Sequence, residues 1–420
     1  MPGKFLSKFA ASVRSYQRDE RGNFAIIAGI SAMAMMMTAG AALDYSRVTS
    51  ARSHVYSALD SSALAAGVRL SSGASIADVR KEFEDFFESN LLSGPLSRSD
   101  VTITELDIDP DKGSVEASAS ARVPLTFLKL TGENHVDVAA SVATSFSPDI
   151  VEVSMVLDVT GSMRGAKLND LKAAADDAID ILLPSGAANS KVRIGLVPYS
   201  WSVNAGRYAA AASANRSNNC VTERAGPAAY TDASYSASPV GADSRVVGQR
   251  HCPSQPILGL TNDRNSLLST IQGFRADGYT AGHIGLAWGY YMLSENWRPL
   301  WRASERPASY AEKVKKIAIL MTDGQFNTYY DGVPTRLLHE QDKLSGASAV
   351  GLCNDMKAPK AGRPGITIYS IAFQAPRDAK RTLSSCASSP EHFFDATNGE
   401  QLGAAFRKIA VDIQKLRLTR

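Results

Sequence analysis

The chain has 420 residues, 44% of them apolar, and a formal net charge of +3 spread along its length. Such length and apolar content supply a sizeable core and room for more than one domain, which excludes a disordered protein. No Lys/Arg stripe interleaved with aromatics tracks a phosphate backbone, so a nucleic-acid partner is not expected.

Residues 1–23 form a basic tail carrying Lys4, Lys8, Arg14, Arg18 and Arg21. Residues 24–43, FAIIAGISAMAMMMTAGAAL, then run for twenty positions without a charge, the length needed to cross a bilayer core. The run is too long for a typical signal-peptide core and lacks the short basic segment that precedes one. A comparable stretch after it holds only Arg47 and Arg52, so the N-terminus is expected in the cytoplasm and everything after Leu43 outside. Ala, Ser and Leu dominate 44–70, with no Pro and only Gly67, so the helix is expected to continue as a stalk over 44–74.

The segment Arg18-Asp19-Glu20-Arg21-Gly22-Asn23-Phe24-Ala25-Ile26-Ile27, with the apolar run and Leu43-Asp44-Tyr45, resembles the N-terminal segment of the TadG-like proteins of the tight-adherence (Flp) pilus machinery. The resemblance covers roughly the first seventy residues. It implies a single-pass protein of the bacterial inner (cytoplasmic) membrane, with the bulk of the chain periplasmic or extracellular. Related prepilin-type segments carry Glu five residues after a processing Gly, whereas Ile27 follows Gly22 at that spacing, which runs against cleavage there. Uncleaved, the chain stays in the membrane as a fixed component.

Residues 75–148 read as a small α+β unit, either a pilin-like head or a spacer. Ile76, Val79, Phe83, Phe86 and Phe87 with intervening charges fit an amphipathic helix ended by Gly94-Pro95. Strand patterns follow at 101–108, 115–123 and 136–146, the first two joined by the turn Asp109-Pro110-Asp111-Lys112-Gly113.

The stretch 151–157 is a β-rich apolar strand that delivers Asp158-Val159-Thr160-Gly161-Ser162-Met163 just before a helix starting near Lys167. In a doubly wound sheet, ligands bind at the carboxyl ends of parallel strands, where this loop must lie. Two later segments supply matching pieces. Asp277-Gly278-Tyr279-Thr280 precedes the apolar helix 284–293, and the strand 316–321 ends in Thr322-Asp323-Gly324. Asp158, Thr160, Ser162, Thr280 and Asp323 offer only carboxylate and hydroxyl oxygens, the hard set suited to Mg²⁺ or Mn²⁺, with Ca²⁺ a third candidate, and poorly suited to zinc. Each piece alone has a structural explanation, as a helix N-cap or a turn after a strand.

In this order the pattern, DxTxS then Thr then Asp, resembles the metal-ion-dependent adhesion site of von Willebrand factor A domains. The resemblance runs from about residue 149 to the C-terminus. It implies an α/β, Rossmann-like domain with a mainly parallel central sheet that binds a protein partner through the metal. Thr160 stands where the family usually has Ser; it keeps the hydroxyl and adds a methyl. Strands at 192–198, 366–373 and 392–395 and a final helix from 400 to about 416 fit the alternation. The stretches 201–256 and 331–364 read as insertions.

Four cysteines, Cys220, Cys252, Cys353 and Cys386, show no CxxC spacing and suit disulfides in an exported domain. The nearest-neighbour pairing is the simplest of three connectivities, and free buried thiols are the alternative. Trp288, Tyr290, Tyr291, Trp297 and Trp301 read as core packing, with a sticky rim near the metal as the other reading. The six histidines show no HxxxH or HExxH spacing, and only His283 lies close in sequence to the proposed ligands.

The functional expectation is a binding and assembly protein, not an enzyme and without a small-molecule substrate. A metal-free structural pilin-like subunit is the alternative. A phosphohydrolase built on Asp158 as nucleophile would carry a second Asp two residues later as acid/base, where this chain has Thr160.

Overall fold

The computed structural model describes residues 23–71, 73–91, 96–110, 112–145, 150–184, 191–247, 251–360 and 362–418. The basic tail, Gly22 and the Gly94-Pro95 break lie outside them. The chain divides into two compact units, one drawn from residues up to 66, 80–108 and 115–144, the other from 67–79, 109–114 and 145–420.

The first unit is built on α1 (Asn23–Ser71), one uninterrupted helix of 49 residues. It is the one described helix long and apolar enough to cross a membrane. The side chains of its N-terminal half, from Ile26 and Ile27 to Met36, stand exposed on the protein. Thr38 gives its hydroxyl to the carbonyls of Ala34 and Met35 at 3.0 Å, so the one Thr of the run leaves no unsatisfied donor in an apolar setting. Beyond residue 50 the helix changes character. Ala51, Val55, Ala58, Leu59, Ser62, Ala63, Ala66 and Leu70 recur at three- and four-residue spacing and are buried. The amphipathic α2 (Ile76–Leu91) buries Val79, Phe83, Phe87 and Leu91, and its last carbonyl meets His54 of α1 at 3.2 Å.

A three-stranded sheet in the order β1 (Val101–Asp109), β2 (Ser114–Pro124), β3 (His135–Ser145) completes this unit. On β2, Val115, Ala117, Ala119, Ala121 and Val123 are buried in strict alternation, one face in and one face out. The β2–β3 connection is held by Asp44 of α1, which has no exposed surface. Its carboxylate accepts the backbone N–H groups of Thr126 (3.0 Å), Phe127 (2.8 Å) and Leu128 (2.8 Å).

The second unit is an α/β domain with an eight-stranded sheet. Its strands are β4 (Ile150–Asp158), β5 (Val192–Tyr199), β6 (Val203–Asn204), β7 (Cys220–Val221), β8 (Leu258–Thr261), β9 (Val314–Thr322), β10 (Thr367–Phe373) and β11 (Phe393–Ala396). The order is β11-β10-β9-β4-β5-β6-β7, with β8 also paired to β5. β4 runs parallel to β5 and β9, and β10 parallel to β9 and β11, while β6 and β8 are antiparallel to β5. The α/β, mainly parallel architecture expected from the sequence is the one observed. The first strand, β4, lies at the centre, where the winding reverses.

Residues from both sheet faces are apolar because helices cover both. One core joins Val153, Met155, Leu157, Ile319 and Met321 of the sheet to α3 (Ala166–Leu182), α4 (Arg264–Gln272) and α8 (Gly399–Leu418). The other joins Val156, Val197, Leu320 and Ile368 to α5 (Gly282–Leu293), α6 (Asp342–Lys357) and α7 (Arg377–Cys386). Every residue of α5 is buried. An added Cβ at Gly289 would lie 2.5 Å from Val156, so its absence lets the helix approach β4 closely.

The stretch 201–256 does more than loop out, since it supplies β6 and β7 to the sheet edge and is closed by a Cys220–Cys252 disulfide. The stretch 331–364 contains α6, a regular covering helix whose Cys353 is bonded to Cys386 at the end of α7. Each bond closes a loop of just over thirty residues. In the chain-entropy account that stabilises the fold by roughly 4 kcal/mol apiece.

Asp44→Ala should free three backbone N–H groups together. Amide exchange in full-length protein should accelerate at 126–128 while β2 stays protected, and unchanged exchange at those amides would show that the carboxylate is not what holds the connection.

Candidate metal centre

The site begins with strand register. Leu157 of β4 pairs with Met321 of β9, so the next residues, Asp158 and Thr322, emerge side by side at the carboxyl ends of adjacent parallel strands. Asp158 is fully buried and both its oxygens are engaged. Oδ1 accepts the Thr160 N–H at 2.8 Å and Oδ2 accepts the Thr322 hydroxyl at 2.5 Å. Thr160 itself is buried, and its Oγ1 lies 3.0 Å from Ser162 Oγ, which is at the exposed side of the cluster. The Ser162 hydroxyl donates to Asp323 Oδ1 at 2.6 Å.

Thr280 enters from the loop ahead of α5. The two loops are stitched together: Gly161 N–H donates to the Gly278 carbonyl at 2.8 Å, and Asp277 N–H to that of Val159 at 2.9 Å. Gly278 adopts a positive φ of 92°, and an added Cβ would lie 2.7 Å from the Trp201 ring. Only glycine suits both constraints. Asn327 fixes Thr280 by accepting its N–H at 3.0 Å and donating its own N–H to the Thr280 carbonyl at 2.9 Å. A Cβ built on Gly324 would have Ser162 Oγ at 3.7 Å and Thr280 Oγ1 at 3.8 Å as its nearest neighbours, so the two hydroxyls face one small space beside Asp323. The five residues singled out in the sequence thus come together at one end of the sheet.

Sequence reasoning missed the roles of five members of this neighbourhood. Thr322 and Asn327 position Asp158 and Thr280. Lys167, in the first turn of α3, donates Nζ to Asp323 Oδ2 at 2.6 Å. Trp201 and Tyr279 form an aromatic rim with ring centroids 6.3 Å apart, Trp201 against His251 and the half-exposed Tyr279 stacked on His339 at 3.7 Å. Trp201 also lines a cavity of about 560 Å³ with Ser200, Asn204, Arg275 and Asp277. Trp288, Tyr290, Tyr291, Trp297 and Trp301, expected as core packing, are all buried in the core. His283, close in sequence to Thr280, is buried with its Nδ1 2.8 Å from Ser345 Oγ.

Burial, then the nearby Asp323 charge, pushes the Asp158 carboxyl up to about 6, against the hydrogen bonds from Thr160 and Thr322. The Lys167 ammonium is paired with the Asp323 carboxylate. The donors are all hard oxygens, so the residues fit Mg²⁺ or Mn²⁺. Among the described residues no three His, Cys, Asp or Glu side chains come together, so a zinc-type cluster has no candidate.

Residues 22–69 match the family described as putative Flp pilus-assembly TadE/G-like. The TadE/G-like match ends at residue 69, before the α/β domain begins. No curated protein sequence matches the chain. Among solved structures it is similar to the vWF domain of the type V pili tip protein Mfa5 from Porphyromonas gingivalis, at 16% identity over 65% of this chain and 97% of that one, with a TM-score of 0.41. It is also similar to the pilus adhesin SpaC from Lactobacillus rhamnosus GG, at 14% identity and a TM-score of 0.39; the match covers 76% of this chain and 35% of that one. A third is proximal thread matrix protein 1 from the mussel byssus with a zinc-occupied MIDAS motif, at 14% identity over 63% of this chain and 46% of that one, TM-score 0.33. With TM-scores below 0.5, these similarities carry no weight for the site.

The raised Asp158 pKa has a definite sign. Between about pH 4 and 6 the folded state keeps a proton that the unfolded chain has released, so metal-free stability falls as pH rises through that window and stays lower above it. Thermal melts in chelator should therefore drop from pH 5 to 7.5, and Asp158→Asn should remove up to about 3 kcal/mol of that dependence. An identical pH dependence in the variant would contradict the assignment.

Proposed function

We propose that the chain is a membrane-anchored, extracytoplasmic binding and assembly protein of a tight-adherence (Flp) pilus or adhesion apparatus. It engages a protein partner through a divalent cation, Mg²⁺ or Mn²⁺, held by Asp158, Thr160, Ser162, Thr280 and Asp323. In this reading residues 24–43 cross the cytoplasmic membrane once, the tail stays inside and 44–420 lies outside as stalk, α+β unit and A-type domain. The TadE/G-like segment supports the setting.

The observation that carries the metal reading is the convergence of two carboxylates and three hydroxyls where β4 and β9 end, with Asp158 buried beside a second negative charge. Mg²⁺ retains some of its waters, so one of its positions remains exchangeable for a partner's carboxylate. The metal would supply the charge that an acidic group on the partner seeks, and the aromatic rim of Trp201 and Tyr279 would give it apolar contact. Binding is favoured over turnover because Thr160 stands two residues after Asp158, where a phosphohydrolase with Asp158 as nucleophile would carry a second Asp as acid/base.

Lys167 favours a second reading, a metal-free structural subunit in which its ammonium serves as Asp323's permanent counter-ion. Calorimetry separates the two. The metal reading expects Mg²⁺ or Mn²⁺ binding by the purified chain, lost in Asp158→Ala. Lys167→Met should tighten binding roughly fivefold, since a unit charge about 4 Å away in water is worth about 1 kcal/mol. No binding at millimolar ion in either wild type or Lys167→Met would leave the structural subunit. A pull-down from envelope extract with and without chelator then identifies any partner that depends on the metal.

A further inference from the structure

The β2–β3 connection of the first unit is short, apolar and turned outward. Phe127 is 41% exposed and Leu130 83%, the most exposed large apolar side chain among the described residues. Neither belongs to the candidate metal centre. Their position along α1 is fixed by three contacts. Asp44 receives the N–H groups of 126–128, Arg47 Nη1 donates to Thr126 Oγ1 at 2.5 Å, and the Phe127 ring lies over Gly40. A Cβ on Gly40 would be 2.5 Å from Phe127 Cγ.

Gly40 lies within the uncharged run that ends at Leu43, about 4.5 Å inside its end at the helical rise. A side chain seated on Gly40 therefore sits at the depth where the acyl chains meet the headgroups. The exposed apolar surface is continuous across this level: Leu43 and Tyr45 on the helix, Phe127 and Leu130 on the connection. The charges are at its border. Arg47 and Lys129 are exposed and can reach lipid phosphates while their stems stay apolar. Tyr45, just past the run, is the kind of residue that favours the interface.

We propose that residues 125–131 form a second membrane contact, a loop clamped to α1 by Asp44 that inserts Phe127 and Leu130 into the outer boundary of the same bilayer that α1 crosses. The occupant is lipid: the surface is apolar where it faces the acyl chains and basic where it faces the phosphates. This rests on the reading of α1 as a membrane span. The clamp makes the helix and the loop one unit, so the first unit is held at a fixed depth.

All four native cysteines are in disulfides, so a single introduced cysteine can carry a nitroxide label. The full chain is reconstituted in vesicles of phosphatidylethanolamine and phosphatidylglycerol, with labels at Met36→Cys, Leu130→Cys and, on the exposed face of β2, Glu116→Cys. Accessibility to oxygen relative to a water-soluble nickel chelate is read at each. The proposal expects ratios at 36 and 130 several-fold above that at 116. A lipid-like ratio at 36 with a water-like ratio at 130 would overturn the loop contact and leave the span intact. A water-like ratio at 36 as well would overturn the span and the inference with it.

Discussion

Two acidic side chains share the end of a parallel sheet, and much of the second unit's architecture follows from holding them there. Adjacent parallel strands point their carboxyl ends the same way, so register alone brings the ends of β4 and β9 together. Like charges in a buried setting repel, and the surrounding chain answers with donors: the Thr160 amide, the Thr322 and Ser162 hydroxyls and the Lys167 ammonium. None of these removes the charge of both groups. The central position of β4, where the sheet reverses its winding, keeps the helices apart above the site and leaves it open on the Ser162 side.

Much of this was legible in the sequence because strands covered on both faces read as continuous apolar runs. VEVSMVL and the strand ending at Met321 announce themselves, and so do the oxygens that follow them. What stayed hidden has physical reasons. α6 was read as insertion because DKLSGASAVGLCNDMK buries small residues such as Ser345, Ser348 and Ala349, which resemble loop composition. α7 buries only Ala379, Leu383 and Cys386 along a polar stretch, and β8 is four residues long. Within the site, Lys167 and Trp201 were illegible because their roles depend on approach across more than seventy residues of chain, which no local pattern records.

In the first unit the long helix was readable from composition, yet what it does to its neighbours was not. One aspartate just beyond the apolar run organises a connection more than eighty residues away. A carboxylate accepting three backbone N–H groups substitutes for the partners that an irregular connection cannot give itself. In the sequence the same residue stands only as the Asp of Leu43-Asp44-Tyr45, part of a family resemblance with no role attached to it.

The two disulfides have a consequence for timing. Cys220–Cys252 closes the segment whose end carries His251 against Trp201, and Cys353–Cys386 joins the helices that cover one face of the sheet. A thiol-rich cytoplasm keeps such bonds open, so a chain still on the inner side lacks both cross-links. On the proposed topology, the aromatic rim is finished only after the domain has crossed the membrane. In that reading oxidation acts as a maturation step, tying the readiness of the proposed binding face to its arrival in the compartment where it is used.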